Sequence, residues 1–435
     1  MAALGLALVC AAGCGSARSH AVVSSAGGPP GVVRVALSSF RWPIDPALAS
    51  GRDETVLART LYATPLRTDP VTDAVVPGLC SAWSATPDFR TWRFRCKSAS
   101  AIAAAIRRVA RLRAAPAHWL FADTRVSVAG GRLMVRLPFP WRRFPYALTV
   151  VGAAPRTVPG PFKLVSGSPQ LVVARNDLLT VMFQPMSPRA AERAFERGQV
   201  DEAPIPVGDV AGTRARLGGV VHARTLLALD GVALRRLRPE LRRAYWQTAT
   251  RGDYSELVSE SSGATALSVV ASSAKPRPRE FRNAVRAIRT ALPRARVRIG
   301  VPADPELQFG ARILYAGWRD VGLGPQLVIE PARALDGSFT RWAALYPQAE
   351  ALPAELVLRD GLGSQPVLLH ALAANDQRGP LQAFDADLRT SARVVPVAWV
   401  VDARLVSPRL RGWREDALGD VDYAAVRSLA SSRRP

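Results

Sequence analysis

Lysine is nearly missing from this sequence. Lys97, Lys163 and Lys275 are the whole supply in 435 residues that carry 58 basic side chains, so the remainder are arginine. Histidine is as scarce: His20, His118, His222 and His370 stand far apart, in no H-E-x-x-H arrangement, and Cys10, Cys14, Cys80 and Cys96 include no C-x-x-C pair. A four-ligand metal site needs such groups at short spacings, so none is expected. The G-x-S-x-G turn of a serine nucleophile and the G-x-x-x-x-G-K-[ST] phosphate loop are also missing, and no carboxylate pair stands out. Without a nucleophile, a metal or a phosphate cradle, neither an enzyme nor a cofactor is expected. Past the N-terminus no run of 18 or more apolar residues occurs, which excludes an ordinary membrane-spanning helix from the body.

What is present describes a globular chain. Apolar residues make up 48% and charged residues 21%, enough of the first to build cores and of the second to stay in water. The length calls for two or three lobes rather than one core. The net charge of +23 could signal a polyanion partner. The arginines, however, are spread along the whole chain and often sit on the polar side of apolar helices, as at Arg235, Arg236, Arg238, Arg242 and Arg243. No nucleic-acid-binding motif accompanies them, so nucleic acid is not an expected partner. Attraction to anionic lipid headgroups fits better for a protein held near a membrane.

Residues Ala2 to Ala12 form a short apolar stretch that suits the core of an export signal. It ends in Ala11-Ala12-Gly13-Cys14, which resembles a bacterial lipobox. That resemblance implies that the thiol of Cys14 receives a diacylglycerol, and that residues 1–14 are a lipoprotein signal peptide. Residues 15–31, rich in Ser, Ala, Gly and Pro, then read as a flexible tether. Export makes a disulfide between Cys80 and Cys96 chemically accessible, and closing a loop of that length contributes ~3 kcal/mol; two buried thiols are the other reading.

Along the body, Val33, Val35 and Leu37 alternate as a strand, and Asp53 is placed to cap a helix carrying Val56, Leu57 and Leu61. Aromatic runs around Trp83 and Trp92 flank the turn Thr86 to Asp88 and predict a hairpin. A helix follows over Ala99 to Arg113, then a second hairpin turning at Gly130-Gly131. Pro138 to Pro161 reads as irregular. Pro188 to Arg197 is a helix closed by Gly198. Residues 295 to 330 predict a β-α-β unit: Val297, Ile299 and Val301 alternate, Asp304 caps, Pro305 follows, and Leu307, Ala311, Leu314 and Trp318 form one stripe. Val394 to Val401 reads as a buried strand.

The order of these segments resembles the family 5 solute-binding proteins of ABC transporters, the peptide- and nickel-binding type. Val33 to Ser39, then Ile44-Asp45-Pro46-Ala47, are similar to that family's first strand and its "LDPA" loop. Leu61-Tyr62, Leu66, Asp69 and Val76-Pro77-Gly78-Leu79 look like "LYEPLV…D…VPGLAESW", with Trp83 at its end. Gly160-Pro161-Phe162-Lys163-Leu164 resembles "GTGPYKL", Arg175-Asn176 "RNP", Gly198-Gln199-Val200-Asp201 "GEVD", and Val394 to Val397 the late "P-x-x-P-L" strand. The resemblance implies a shortened α/β fold of the periplasmic-binding-protein-like type II, in which two lobes close on a ligand beside a smaller accessory lobe. Lobe I would comprise residues 32–60, 156–230 and 396–435, accessory lobe II residues 61–155, and lobe III residues 231–395.

The implied function is capture of a small solute, a peptide above all, by an extracytoplasmic lipoprotein serving an ABC permease in the membrane that anchors it, as a monomer. Two alternatives remain open: a binder of nickel chelates or other solutes, and a degraded non-transport binding or sensor lipoprotein. The sequence departs from the family pattern in two places. The loop before the helix at Ala99 is gone, since Phe94-Arg95-Cys96-Lys97 runs almost directly into it. No "D-Y-P-D-P" motif follows Phe339, where peptide binders carry an acidic residue for the peptide's amino terminus; Glu355 and Asp360 are the nearby carboxylates. Candidate ligand contacts are Ser38 and Ser39 at the end of the first strand, Trp42 in the loop after it, and Trp399 in the late strand.

Overall fold

A computed structural model of the chain describes residues 31–153, 158–260, 264–270, 285, 288 and 296–429. Cys14, the expected signal segment and the tether up to residue 30 lie outside them.

The alternation of Val33, Val35 and Leu37 does produce a strand, Val32–Leu37, and these three side chains are fully buried. It pairs in parallel with Thr180–Pro185, which buries Val181 and Phe183 in the same core. These two strands lie inside a ten-stranded mixed sheet. From edge to edge it runs Gly324–Ile329, Arg296–Val301, Gly337–Ala343, Val221–Leu234, Val394–Val406, Glu202–Pro204, Val32–Leu37, Thr180–Pro185, Val172–Arg175 and Lys163–Gly167.

The centre of this sheet is made by two long antiparallel strands, Val221–Leu234 and Val394–Val406. One end of the pair joins the strands of lobe I, through Glu202↔Val406 and Ala203↔Leu405. The other end joins lobe III, through Ala228 to Leu234 against Gly337–Ala343. Their register is irregular between Thr225 and Leu229 and again between Asp230 and Gly231, where the strands pass from one lobe to the other. Gly231 is required there: a Cβ would stand 2.6 Å from the Val395 carbonyl oxygen and 2.9 Å from the Trp342 ring.

Residues 296–329 form the expected β-α-β unit. The Asp304 carboxylate accepts from the Leu307 amide at 2.9 Å, Pro305 opens the helix Pro305–Asp320, and Leu307, Ala311, Leu314 and Trp318 are buried. The flanking strands pair in parallel.

The accessory lobe carries a four-stranded antiparallel sheet in the order Cys80–Ala85, Thr91–Cys96, Arg132–Arg136, Arg125–Ala129. Trp92, Phe94, Leu133 and Val135 on its inner face pack on Ile102, Ile106 and Val109 of the helix Ala99–Arg111. Only Lys97 and Ser98 separate the second strand from that helix. Cys80 and Cys96 face each other across the first two strands and are joined by a disulfide. The turn at Gly130 and Gly131 has φ of +55° and +71°, the left-handed geometry a two-residue hairpin needs. The core of this lobe is continuous with that of lobe III: the Trp141 and Tyr346 rings lie 5.9 Å apart, and both are fully buried.

Two expectations are corrected. Pro138 to Pro161 is not wholly irregular, since Phe144–Val150 forms a 3₁₀ helix that buries Phe144, Ala147 and Leu148. Asp53 is not the helix cap. The helix begins at Gly51, and the Asp53 carboxylate instead accepts from the amides of Ser38 and Ser39, at 2.6 and 3.2 Å, and pairs with Arg404 at 3.4 Å. Tertiary charge overrides the local capping signal because Asp53 belongs to a buried ionic cluster.

That cluster locks the helix Gly51–Leu61 to the long strands. Arg52 reaches Glu202 at 3.3 Å, Asp402 at 3.0 Å and Glu415 at 3.3 Å, while Arg404 reaches Asp402 at 3.0 Å and Glu202 at 3.5 Å. The other oxygen of Glu202 accepts from Trp413 Nε1 and Tyr423 Oη, both at 2.7 Å. Burial and the neighbouring Asp402 push Glu415 well above the usual carboxylate range, while the two guanidiniums pull Asp402 below it. Burial thus favours the neutral form of Glu415, and the guanidiniums favour the charged form of Asp402.

Arg404→Met leaves buried carboxylates without their cation and is expected to cost about 3–5 kcal/mol in chemical denaturation. Arg236→Met, at an exposed site, is the control, expected within ~0.5 kcal/mol of the parent.

Candidate ligand-binding cleft

The helix Gly51–Leu61 lends Arg52, Thr55 and Arg59 to the lining of a cavity of about 470 Å³. All three lobes line it. Lobe I contributes Pro46, Arg52, Thr55 and Arg59; the accessory lobe contributes Tyr62, Val109, Arg113 and Thr149; lobe III contributes Arg341, Leu345, Glu355 and Arg359. A second cavity of about 450 Å³ shares Arg59, Tyr62, Thr64, Thr149 and Asp420 with the first. Enclosure on three sides and a volume within the ordinary range for small-ligand sites make this cleft the candidate.

Five arginines line the first cavity, but four are already paired. Arg52 belongs to the buried cluster above. Arg59 holds Asp420 at 2.5 Å and Asp416 at 3.4 Å. Arg341 is clamped by Asp230 and Glu306, both at 2.7 Å. Arg359 is paired with Glu355 and with Asp360. Arg113 is the exception: it is exposed and has no hydrogen-bond or ion-pair partner among the described residues.

Two carboxylates line the cavity, Asp420 and Glu355, and both carry oxygens with no hydrogen bond among the described residues; Asp420 is ion-paired with Arg59, and Glu355 is the one carried by lobe III. It sits in a π-helical turn, Glu355–Arg359, that continues the short helix Ala351–Ala354. Its side chain is buried, one oxygen accepts from Arg359, and the other, Oε2, has no hydrogen-bond partner among the described residues. Burial pushes its carboxyl up to about 8, against the pull of Arg359 and with the help of Asp360. Asp360 is the opposite case. It accepts from Trp342 Nε1 at 2.8 Å and from Arg359 Nη2 at 2.9 Å, and the Arg359 and Trp342 bonds hold it below the ordinary value despite burial. The strand Gly337–Ala343 leads into Ala344 and Leu345, which line the cavity with apolar side chains. The cleft thus combines one unsatisfied buried carboxyl on lobe III, one unpaired cation on the accessory lobe, and apolar wall between them.

The four contacts expected from sequence stand elsewhere; none is among the residues lining this cavity. Ser38 and Ser39 are exposed and give their amides to Asp53. Trp42 lies on the strand Lys163–Gly167, where a Cβ at Gly167 would stand 2.0 Å from its ring. Trp399 is half-buried, paired with Leu229 and packed against the shared core. Sequence reasoning reached Glu355 only through its distance from Phe339. It missed Arg113, which carries no signal beyond being one more arginine.

Glu355 prefers to be protonated when folded, so its contribution to stability is present below its ordinary value of 4.5 and is lost as pH rises through about 8. Glu355→Gln removes that loss. It is expected to stabilise the unliganded protein by on the order of 1–3 kcal/mol at pH 9 and to do little at pH 4, as read from denaturation midpoints at both pH values.

No protein-family model matches the sequence, and no curated protein matches it either. Solved structures do. OppA of Haemophilus influenzae in complex with RPPGFSPFR is 14% identical, with a TM-score of 0.74 over 92% of this chain and 99% of that one. The Escherichia coli murein tripeptide binding protein MppA is 16% identical, with a TM-score of 0.76 over 92% and 99%; an unliganded open form of MppA, also 16% identical, gives 0.68 over 94% and 99%. NikA from Brucella suis in complex with Fe(III)-EDTA is 16% identical, with a TM-score of 0.73 over 92% and 100%. The fold of this chain is the periplasmic-binding-protein-like type II α/β fold.

Proposed function

We propose that this chain is an extracytoplasmic solute-binding lipoprotein that captures a short peptide between its lobes and presents it to an ABC permease in the membrane. The observation that carries this reading is the pairing of the free Glu355 oxygen with the unpartnered Arg113 across one cavity. A short peptide carries an ammonium at one end and a carboxylate at the other, with uncharged backbone and side chains between. Glu355 would take the first charge and Arg113 the second, and the apolar wall at Ala344 and Leu345 would cover the middle. The fold supports the reading, because OppA holds a peptide on the same architecture. The resemblance implies two lobes that open and close around the ligand. Ligand shifts such a two-state equilibrium only by its preference for the closed state, and a charge pair that spans the lobes supplies that preference.

A second reading is favoured by the arginines around the cleft: an anionic metal chelate, as NikA holds Fe(III)-EDTA. It gives Glu355 no role. Cys14, as lipid anchor, would keep either kind of binder at the outer face of the membrane, and no catalytic role is proposed.

Both readings are separated by calorimetric titration of the full chain with a panel of di- to pentapeptides and with metal chelates. Peptide binding to the parent is expected, with Glu355→Gln and Arg113→Ser each weakening it roughly ten- to a hundredfold. Affinity should rise with pH up to about 8 as the Glu355 proton is released, and fall beyond as the ligand's α-amine loses its own. Chelate binding that is indifferent to Glu355→Gln would replace the peptide reading with the second one.

A further inference from the structure

The outer face of the accessory-lobe sheet carries five arginines. Strand alternation turns Trp92, Phe94, Leu133 and Val135 inwards and leaves Arg93, Arg95, Arg132 and Arg136 exposed on the other side, with Arg125 beside them on the edge strand. The register aligns these side chains: Arg95 stands directly opposite Arg132, Arg136 directly opposite Arg125, and Arg93 opposite Met134. The remaining positions on this face are small or neutral, namely Ala82, Ser84, Thr91, Ser127 and Ala129. No carboxylate stands on it, and none of the five arginines makes an ion pair among the described residues. Like charges placed directly opposite on neighbouring strands destabilise a sheet. Two such pairs on one small face are costly to the isolated fold, and an external anionic surface would relieve them.

We propose that this face docks on an anionic phospholipid bilayer, which orients the body on the membrane. The shape fits, because the face of a four-stranded sheet is broad and shallow and meets a planar array of headgroups rather than a single ligand. The chemistry fits, because arginine forks bind phosphate oxygens in pairs, which lysine does not do. The reach fits as well: residues 15–31 separate Cys14 from the first strand, and a chain of that length spans at most about 60 Å, enough to let the lobe lie on the surface that would hold Cys14. The inference does not depend on what the cleft binds.

The test uses the full chain carrying Cys14→Ser, so that no acyl chain contributes, and sedimentation with vesicles of phosphatidylcholine alone or mixed with phosphatidylglycerol. Binding is expected only to the phosphatidylglycerol vesicles, weakening as salt rises. Each arginine replaced by serine on the sheet face should lower the partition coefficient about fivefold. Arg95→Ser/Arg132→Ser should meanwhile melt no lower than the parent, because it removes a like-charge pair. A control variant replaces five exposed arginines elsewhere, Arg193, Arg236, Arg238, Arg243 and Arg312, by serine and should bind as the parent does. Equal loss in the sheet-face and control variants would overturn the proposal, as would equal binding to both kinds of vesicle. So would retention on a polynucleotide at a salt concentration where the vesicles are not bound.

Discussion

The contact on which the rest of the structure depends is the cluster of Arg52 and Arg404 with Asp53, Glu202, Asp402 and Glu415. It lies where the helix Gly51–Leu61 meets the two strands that run between lobes; Glu202, Arg404 and Glu415 are buried, and Arg52, Asp53 and Asp402 are largely so. Charges in that environment cannot be left single. Each guanidinium is therefore met by several carboxylates, burial beside Asp402 favours the neutral form of Glu415, and Glu202 is saturated by Trp413 and Tyr423 from the C-terminal segment. The cluster fixes the entry of the helix that carries Arg59 and Tyr62 to the cleft. It also explains why Asp53, with a good local capping signal, is used for something else.

The cleft follows the opposite rule. The arginines that line it are neutralised in advance by their own carboxylates, with Arg113 left over, and one oxygen of Glu355 accepts no hydrogen bond among the described residues. Leaving a buried oxygen unpaired is unfavourable, and the raised affinity of Glu355 for a proton is the fold's answer to it in the absence of ligand. A cationic group entering the cleft would replace that proton. The same physics accounts for a candidate binding site and a local instability at one residue.

The arginine content, read only as composition, says nothing about place. Folding sorts it into three uses. Some arginines are buried with partners, as Arg52, Arg341 and Arg404 are; some are scattered on exposed helix faces; and five are collected on one face of the accessory-lobe sheet. The last group comes from nothing more than period-two alternation in three short strands, yet only the pairing register shows that the arginines stand opposite one another rather than offset.

What the sequence determined by itself was local. The strand at Val33 to Leu37, the two hairpins with their Thr-Pro-Asp and Gly-Gly turns, the capped β-α-β unit and the order of segments that resembles a known family all rest on periodicity and turn chemistry within a few residues, and these survive folding because short-range sterics act in any context. The tertiary structure decided everything that joins distant residues. Arg52 and Glu415 are 363 positions apart, and Arg404 and Glu202 are 202 apart. No local pattern announces such partners. Ser38, Ser39, Trp42 and Trp399 drew attention because of their residue types and places in the chain, but packing sends the tryptophans to other surfaces and leaves the serines to bind Asp53. Glu355 and Arg113 look ordinary in sequence. They become a candidate site because the long strands carry lobe III over the accessory lobe, closing a cavity around one carboxyl oxygen and one guanidinium that the fold leaves unpaired.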